Sequence, residues 1–215
     1  MRVVALDLAY EADIKELILN HKELFTKDPN TAVIFEKAIC GGNVIADCLI
    51  FTDTEIIGVE IKTAHDTTKR LPKQLTDYLQ VCDKVYVLTH DLMYPKVDEV
   101  LQSFPSVGLL TYAEVNDNIY VGKLKEAELN LPDFKMTLSM LWSSEIKKIG
   151  DSLAPGNRVM PYKVSSKRAR IRYLLSQYGD DIPLRSLRNL FIAQDLDPGR
   201  TIPILDFRRY SPSQE

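Results

Sequence analysis

Residues 42–63 read GNVIADCLIFTDTEIIGVEIKT and carry the strongest structural signal in the chain. Apolar and β-branched residues run up to a polar cluster around Asp53 and Thr54 and then resume, which predicts two strands joined by a tight turn. If this hairpin is symmetric about its turn, Asp47 in the first strand lies opposite Glu60 in the second. The alternation of side chains along each strand then predicts which residues share a face.

This register sorts the side chains of the hairpin into two faces. We expect one face to be apolar and to consist of Val44, Ala46, Cys48, Ile50, Ile57, Val59, Ile61 and Thr63. The other face brings together Asp47, Glu60 and Lys62. Because directly opposed residues of an antiparallel pair have Cβ atoms about 5 Å apart, the two carboxylates repel each other unless a cation lies between them.

Two carboxylates beside a lysine are typical of a site for metal-assisted phosphodiester hydrolysis. Mg²⁺ prefers oxygen ligands and usually takes only one or two carboxylates from a protein, which leaves its other positions to water and substrate phosphate. Lys62 follows Glu60 by two residues on the same face and is placed to hold or activate a water. The alternative is a solvated face with a surface ion pair, which stabilises a protein by less than about 1 kcal/mol.

The composition is that of a globular protein with one substantial core and an appendage, or with two small domains. Of its 215 residues, 45% are hydrophobic and 27% are charged, and the net charge of -3 excludes a uniformly basic coat for nucleic acid. Three cysteines without a C-x-x-C spacing predict a reducing, cytoplasmic environment. No apolar run approaches the length that crosses a bilayer, so we expect no membrane association.

Apolar periodicity predicts the other elements of an α/β fold. We expect helices over 11–25, from Pro72 onwards, and over 95–103. Asp66 or Thr67 is expected to cap the second of these. We expect strands over 32–39, 84–89, 108–111 and 118–124. The strand–helix–strand order around the second helix predicts a crossover between parallel strands.

The spacing of apolar residues changes near Pro132. This change divides the chain into a core over 1–130 and a helical C-terminal subdomain over 131–215. Helical spacing marks three segments of this subdomain, 136–149, 166–178 and 182–194. The stretch 150–162 contains glycine and prolines and is expected to form a loop, and Trp142 is expected to pack in the core. The predicted architecture is a mixed central sheet of four or five strands flanked by helices, followed by this subdomain.

The order of strand, Asp47, turn, Glu60-Ile61-Lys62, helix and strand resembles the PD-(D/E)xK phosphodiesterase superfamily over residues 11–112. Gln74 and Tyr78 match the Q-x-x-x-Y motif of its RecB-like branch. The text DTTKRLPKQ after the E-x-K is similar to a small bacterial and phage family that has this nuclease core and a helical tail. The chain departs from the usual "PD" dipeptide because alanine precedes Asp47, at a position that tolerates variation.

The resemblance implies a restriction-endonuclease-like fold and a nuclease that depends on Mg²⁺ or Mn²⁺, with DNA as the expected substrate. Asp47 and Glu60 would bind the metal with help from the carbonyl of Ile61, and Lys62 would serve the attacking water. Gln74 and Tyr78 would orient the site and contact the substrate backbone. An acidic residue near the first helix often completes such a site. We select Glu16, with Glu11, Glu23 and Glu36 as alternatives.

Two basic clusters are candidate contacts for a nucleic-acid backbone, which proteins bind through charge without reading sequence. The clusters are Lys69, Arg70 and Lys73 near the second helix, and Lys163, Lys167, Arg168, Arg170 and Arg172 in the tail. Charged helix faces are often only solvated, so both interpretations stay open. The three histidines are scattered and offer no metal-ligand spacing.

Two other functions stay open on the same scaffold. One is a catalytically inactive nucleic-acid-binding or interaction module, which would tolerate the loss of Glu60, whereas a nuclease would require its metal. The other is a ribonuclease, for which the sequence shows no clear aromatic stacking platform. The sequence leaves oligomeric state and the choice between endonuclease and exonuclease open.

Overall fold

The computed structural model describes residues 11–115, 118–153, 166–179, 182 and 184–195. Asn116 and Asp117, where we expect a turn before the last predicted strand, lie outside this part of the chain, as do most of the predicted loop over 150–162 and Lys163. The described strands are β1 Ala32–Ile39, β2 Val44–Phe51, β3 Ile56–Lys62, β4 Lys84–His90, β5 Gly108–Val115 and β6 Asn118–Lys125. The described α-helices are α1 Glu11–Asn20, α2 Leu71–Leu79, α3 Tyr94–Leu101, α4 Phe134–Ser139, α5 Ser143–Leu153, α6 Lys167–Tyr178 and α7 Leu184–Asp195.

The strands form one mixed sheet in sequence order from β1 to β6, so the described residues supply six strands rather than the predicted four or five. β2 is antiparallel to both of its neighbours, β1 and β3, and β5 is antiparallel to β6. β3, β4 and β5 are parallel. Parallel neighbours need a crossover connection, and α2 and α3 provide the two that this sheet requires. The prediction of a mixed α/β fold and of the crossover is confirmed.

Hydrophobic residues cover the sheet on both sides. On one side, Ile14, Leu17 and Ile18 of α1 pack against strand residues such as Val59 and Leu88. On the other side, residues of α2 to α7 form a larger core with the opposite face of the sheet. The C-terminal helices therefore share their hydrophobic core with the sheet and with α2. Among the described residues, no helix combines the length and apolar character that crossing a bilayer requires.

Several predicted helix boundaries are wrong for local reasons. α1 ends at Asn20, because His21 leaves the helical conformation (φ −129°, ψ 48°) and a short 3₁₀ turn follows. The helix predicted over 136–149 is two helices, since the carboxylate of Glu145 accepts a hydrogen bond from the backbone N–H of Trp142 at 2.5 Å and begins α5 there. α5 then continues to Leu153, so the predicted loop does not begin at residue 150.

The predicted side-chain cap of α2 is also wrong. Arg70 occupies the N-cap position, and no side chain caps the helix there. Asp66 instead accepts hydrogen bonds from the backbone N–H and the hydroxyl of Thr63, both at 2.8 Å. Pro72 lies in the first turn of α2 as predicted, where a missing N–H costs nothing.

Candidate active site

The central hairpin has the predicted register. Cys48 pairs with Val59 and Ile50 pairs with Ile57 around a turn at 52–55. Thr52 closes this turn, since its hydroxyl accepts from the backbone N–H groups of Thr54 and Glu55. The β2–β3 pairing ends at Cys48 and Val59, one residue before the predicted pair of acidic residues. The two strands therefore separate at the point where the carboxylates begin.

The hydroxyl of Tyr78 bridges the strands where their pairing ends. It accepts a hydrogen bond from the backbone N–H of Asp47 at 2.8 Å and donates one to the carbonyl of Val59 at 3.3 Å. The ring is fully buried and lies against Gly58, where a Cβ would come within 2.3 Å of Tyr78 Cδ1. A glycine in β3 thus makes room for the side chain that bridges the two strands.

The prediction that β2 presents one apolar face along its length is wrong. Val44 and Ala46 of the predicted face pack on the α2 side of the sheet. Cys48 and Ile50 pack on the α1 side. The strand changes sides at Asp47, level with Glu36 of β1, which has a left-handed φ of 54°. A residue in this conformation interrupts the alternation of side chains between the two faces of a strand. Ile34 and Lys37, three residues apart, therefore lie on the same face of β1.

The side chains of Asp47, Glu60, Lys62 and Gln74 converge on the α2 side of this opening. Asp47 Oδ2 accepts from the backbone N–H of Ile61 at 2.8 Å. Lys62 Nζ donates to Glu60 Oε1 at 2.5 Å and to Gln74 Oε1 at 3.3 Å. Glu60 and Lys62 are buried, so the alternative of a solvated surface ion pair does not apply to them. Gln74 and Tyr78, one helical turn apart, bind the two strands directly.

The electrostatics of this cluster disfavour two ionised carboxylates. Burial, with the charge of Glu60 as the next cause, raises the pKa of Asp47 to about 8, although the Ile61 N–H and Lys62 oppose the shift. Burial also raises the pKa of Glu60, against the effect of Lys62. Each carboxylate therefore lacks enough positive charge around it to stay ionised at its ordinary pKa.

The donor set fits a hard divalent cation. Glu60 Oε2 is buried and, among the described residues, makes no hydrogen bond of regular geometry. The negative charge of Glu60 raises the pKa of Asp47, and a bound cation would relieve this repulsion. The described residues contain no group of three or more His, Cys, Asp or Glu side chains arranged for a metal. Two carboxylates are nevertheless the usual protein contribution to a Mg²⁺ site.

The acidic residue of α1 that influences Asp47 most is Glu11, one of the predicted alternatives, through its negative charge. Glu11 forms an ion pair with Lys15 at 2.8 Å, and Lys15 also binds Glu36 at 2.6 Å. Glu16, the predicted ligand, has an exposed side chain on the same helix. Lys15 is not among the predicted site residues, although its spacing of four residues from Glu11 is a signal for a helical ion pair.

The predicted basic residues have different surroundings. Lys69 and Arg70 are exposed at the start of α2, and Lys73 forms an ion pair with Asp77 at 3.0 Å. In α6, Lys167 donates to the carbonyl of Ser139 and Arg170 to that of Ser143, so both fasten α6 to the α4–α5 connection. Arg168 and Arg172 line a shallow surface groove on α6.

The prediction that Trp142 packs in the core is wrong, because 69% of this residue is exposed. It lies in the short break between α4 and α5, which periodicity alone treats as continuous helix. Glu145 and Lys37 nearby are buried charged residues, with their charged groups 3.9 Å apart. Neither residue has a signal in the sequence, since the two are far apart along the chain and meet only in the folded structure.

Comparisons with curated proteins and with solved structures return no match. A model of the family described as bacteriophage P4 protein cII matches residues 4–194, which is most of the 215-residue chain. That range contains the central hairpin, α2 and every other element of the described structure, apart from the last residue of α7. The chain therefore belongs to the family of bacteriophage P4 protein cII.

Proposed function

We propose that this chain is a divalent-metal-dependent nuclease that hydrolyses phosphodiester bonds, with DNA as its substrate. The observation that carries the proposal is the convergence of Asp47, Glu60 and Lys62 in one cluster at the point where β2 and β3 separate. Gln74 and Tyr78 contact this cluster from the neighbouring helix. The five residues of the two predicted motifs thus lie together in the folded chain. Such a meeting is not expected by chance in a chain of this length.

The proposal includes membership of the PD-(D/E)xK superfamily and of its RecB-like branch, with a restriction-endonuclease-like fold. Three features support it: the antiparallel hairpin that bears Asp47 and Glu60, the parallel β3–β4 pair, and the α2 crossover between them. The Q-x-x-x-Y motif lies on that crossover helix and contacts the hairpin. The phage family adds no information about catalysis by itself.

In this mechanism Asp47 and Glu60 would hold Mg²⁺ or Mn²⁺, with the Ile61 carbonyl as the further predicted ligand. When bound, such an ion polarises the scissile phosphate and lowers the pKa of a coordinated water. Lys62 is held between Glu60 and Gln74, which fixes its ammonium group to position the attacking water and to lower the cost of transferring the proton of that water to the solvent. Tyr78 fixes the backbone of Asp47 and so the direction of its carboxylate.

The test is incubation of the purified chain with linear duplex, circular duplex and single-stranded DNA and with RNA, in Mg²⁺, Mn²⁺ or EDTA. We expect DNA cleavage that requires a metal and that falls by at least about a hundredfold in Lys62→Ala. Lys84→Ala is the matched control, because Lys84 of β4 forms a similar ion pair, at 2.8 Å, with Glu55 of the hairpin turn, away from the cluster. Cleavage that survives EDTA, or that Lys62→Ala leaves unchanged, would contradict the proposal.

Two results would replace this function with one of its alternatives. Metal-dependent cleavage of RNA without cleavage of DNA would make the chain a ribonuclease. Binding of nucleic acid without cleavage, retained in Glu60→Gln, would make it a catalytically inactive binding module. Each result is read from the same gel and from a binding measurement on the same protein.

A further inference from the structure

A cleft of about 590 Å³ lies between the edge strand β1, the turn that follows it, and the α4–α5 connection. We name it the Trp142 cleft after the exposed aromatic residue at its border. The residues that matter to its chemistry are Lys37, Gly41, Gly42, Trp142, Glu145 and Lys167. None of the five proposed catalytic side chains lines it.

Two ammonium groups and one carboxylate dominate the charge of the Trp142 cleft. Lys37 is only 8% exposed, and its Nζ lies 3.9 Å from Glu145 and 5.2 Å from the centre of the Phe191 ring. Burial lowers the pKa of Lys37, Glu145 opposes this shift, and the charge of Lys167 adds to it. Glu36 also borders the cleft, but its carboxylate accepts a hydrogen bond from Lys15 at 2.6 Å. Around Glu145 the cleft therefore has two ammonium groups, those of Lys37 and Lys167, against one carboxylate.

The position of Glu145 limits how far it neutralises these lysines. Its carboxylate also accepts the backbone N–H of Trp142, at 2.5 Å, which is shorter than its distance to Lys37. A buried ammonium with one loose ion pair and a second ammonium nearby is costly unless an anion joins it. A phosphate group satisfies this condition because it supplies negative charge and several acceptor oxygens.

Trp142 supplies an aromatic surface beside these charges. Its side chain borders the cleft, while its backbone is fixed by the Glu145 carboxylate. A large apolar ring held in water next to a cationic cleft is the arrangement with which proteins stack nucleic-acid bases along a phosphate backbone. Stacking of this kind requires a base whose face is free, which excludes the interior of an intact duplex.

We propose that the Trp142 cleft binds one unpaired nucleotide of a DNA strand, with the base against Trp142 and the phosphate between Lys37 and Lys167. The identity of the polymer rests on the proposed nuclease function. Glu36 borders the cleft and lies level with Asp47 on the adjacent strand, and neighbouring strands are about 4.8 Å apart. The strand β1, which lines one wall of the cleft, is thus the neighbour of the strand that carries Asp47, and the need for an unpaired base favours single-stranded DNA or frayed ends.

The first test uses Trp142 as its own reporter, because it is the single tryptophan of the chain. The full-length protein is titrated in EDTA with a short oligothymidylate and, separately, with a blunt-ended duplex. We expect saturable quenching of the tryptophan fluorescence by the oligothymidylate, and at least about fivefold weaker apparent affinity for the duplex. Unchanged fluorescence, or equal quenching by both, would overturn the proposal.

The second test changes the cleft and measures binding by the anisotropy of a labelled oligothymidylate. Lys167→Gln and Trp142→Leu are each expected to weaken binding by at least about fivefold. Lys148→Gln is the matched control, since Lys148 is exposed on α5 and does not line the cleft. Circular dichroism melting establishes that each variant is folded. Equal binding by the two cleft variants and the control would overturn the proposal.

These tests separate the cleft from the catalytic proposal because they are made without metal. Saturable quenching by a protein that cleaves nothing supports the cleft and contradicts the nuclease. Metal-dependent cleavage by a protein whose Trp142 fluorescence does not change on adding the oligothymidylate supports the nuclease proposal and contradicts nucleotide binding in the cleft.

Discussion

Asp47 shows how a single residue combines structural and functional demands. Its backbone N–H and its carboxylate are each held by a specific partner, Tyr78 and the Ile61 N–H. Its charge, however, is poorly compensated, since burial and Glu60 raise its pKa to about 8. A residue whose side chain is fixed by hydrogen bonds, but whose ionised form is unfavourable, is typical of a functional site.

We predict that this charge destabilises the metal-free protein as pH rises. An acidic group whose pKa is higher in the folded than in the unfolded state keeps its proton longer on folding, so stability falls with pH between the two pKa values. For Asp47 this window extends from its ordinary value of 3.8 to about 8. In EDTA, the melting temperature of the wild type should therefore fall between about pH 5 and about pH 8.

Asp47→Asn should flatten this dependence, since an amide keeps the acceptor for the Ile61 N–H and cannot ionise. The measurement is thermal melting by circular dichroism across the same pH range. Asp151→Asn, at an exposed position of α5, is the control and should melt with the wild-type dependence on pH. A variant at Asp47 with the same dependence as the wild type would contradict the assigned pKa shift.

At the residue level, the sequence predicts which residues form the candidate site better than it predicts the backbone and packing around them. Asp47, Glu60, Lys62, Gln74 and Tyr78 stand at motif positions along a local stretch of chain, so their convergence follows from one hairpin and one helix. Glu36 gives no such signal, because its left-handed backbone is not favoured by its side chain. The change of faces at Asp47 was therefore not predictable from alternation.

The β2–β3 hairpin and α2 fit together through one glycine. Gly58 leaves the space that the Tyr78 ring fills, and Tyr78 in turn bridges the two strands. The hydrophobic pattern predicted the hairpin register because a short polar turn leaves few alternatives. The contact with α2 depends on a close approach of backbone and ring, which periodicity does not encode.

We predict that Gly58→Ala lowers the free energy of unfolding by roughly 1–3 kcal/mol, since the new methyl group would lie 2.3 Å from Tyr78 and force a shift. Gly122→Ala in β6 is the matched control, because the nearest atom to its Cβ is Thr111 Oγ1 at 3.9 Å. Urea denaturation measures both. Equal effects of the two substitutions would show that Tyr78 does not pack against Gly58 as described.

The helices of the C-terminal region complete the core of the whole molecule. Phe191 of α7 is buried and its ring centre lies 4.5 Å from that of Phe51 in β2, while Arg188 forms an ion pair with Asp53 in the hairpin turn at 3.0 Å. The change of pattern near residue 132 predicted these helices. Their docking on the sheet, and the Trp142 cleft that it creates, join residues distant in sequence and give no local signal.

We predict that Phe191→Ala lowers the free energy of unfolding of the whole chain by roughly 3–5 kcal/mol, because it leaves a cavity against the sheet. Since α7 and the hairpin share one core, unfolding followed by fluorescence and by circular dichroism should give one transition with the same midpoint. Leu129→Ala, at an exposed position, should change stability little. A separate early transition in Phe191→Ala would show that the C-terminal helices unfold independently.

The function proposed for the whole molecule requires that Asp47 and Glu60 together bind a hard cation. Isothermal titration calorimetry with Mn²⁺ measures this directly, on the wild type and on Glu60→Gln, with Glu55→Gln as the control from the Lys84 ion pair. We predict saturable Mn²⁺ binding by the wild type and by Glu55→Gln, and its loss in Glu60→Gln. Absence of Mn²⁺ binding by the wild type, or full binding by Glu60→Gln, would contradict the proposed metal site and the nuclease mechanism built on it.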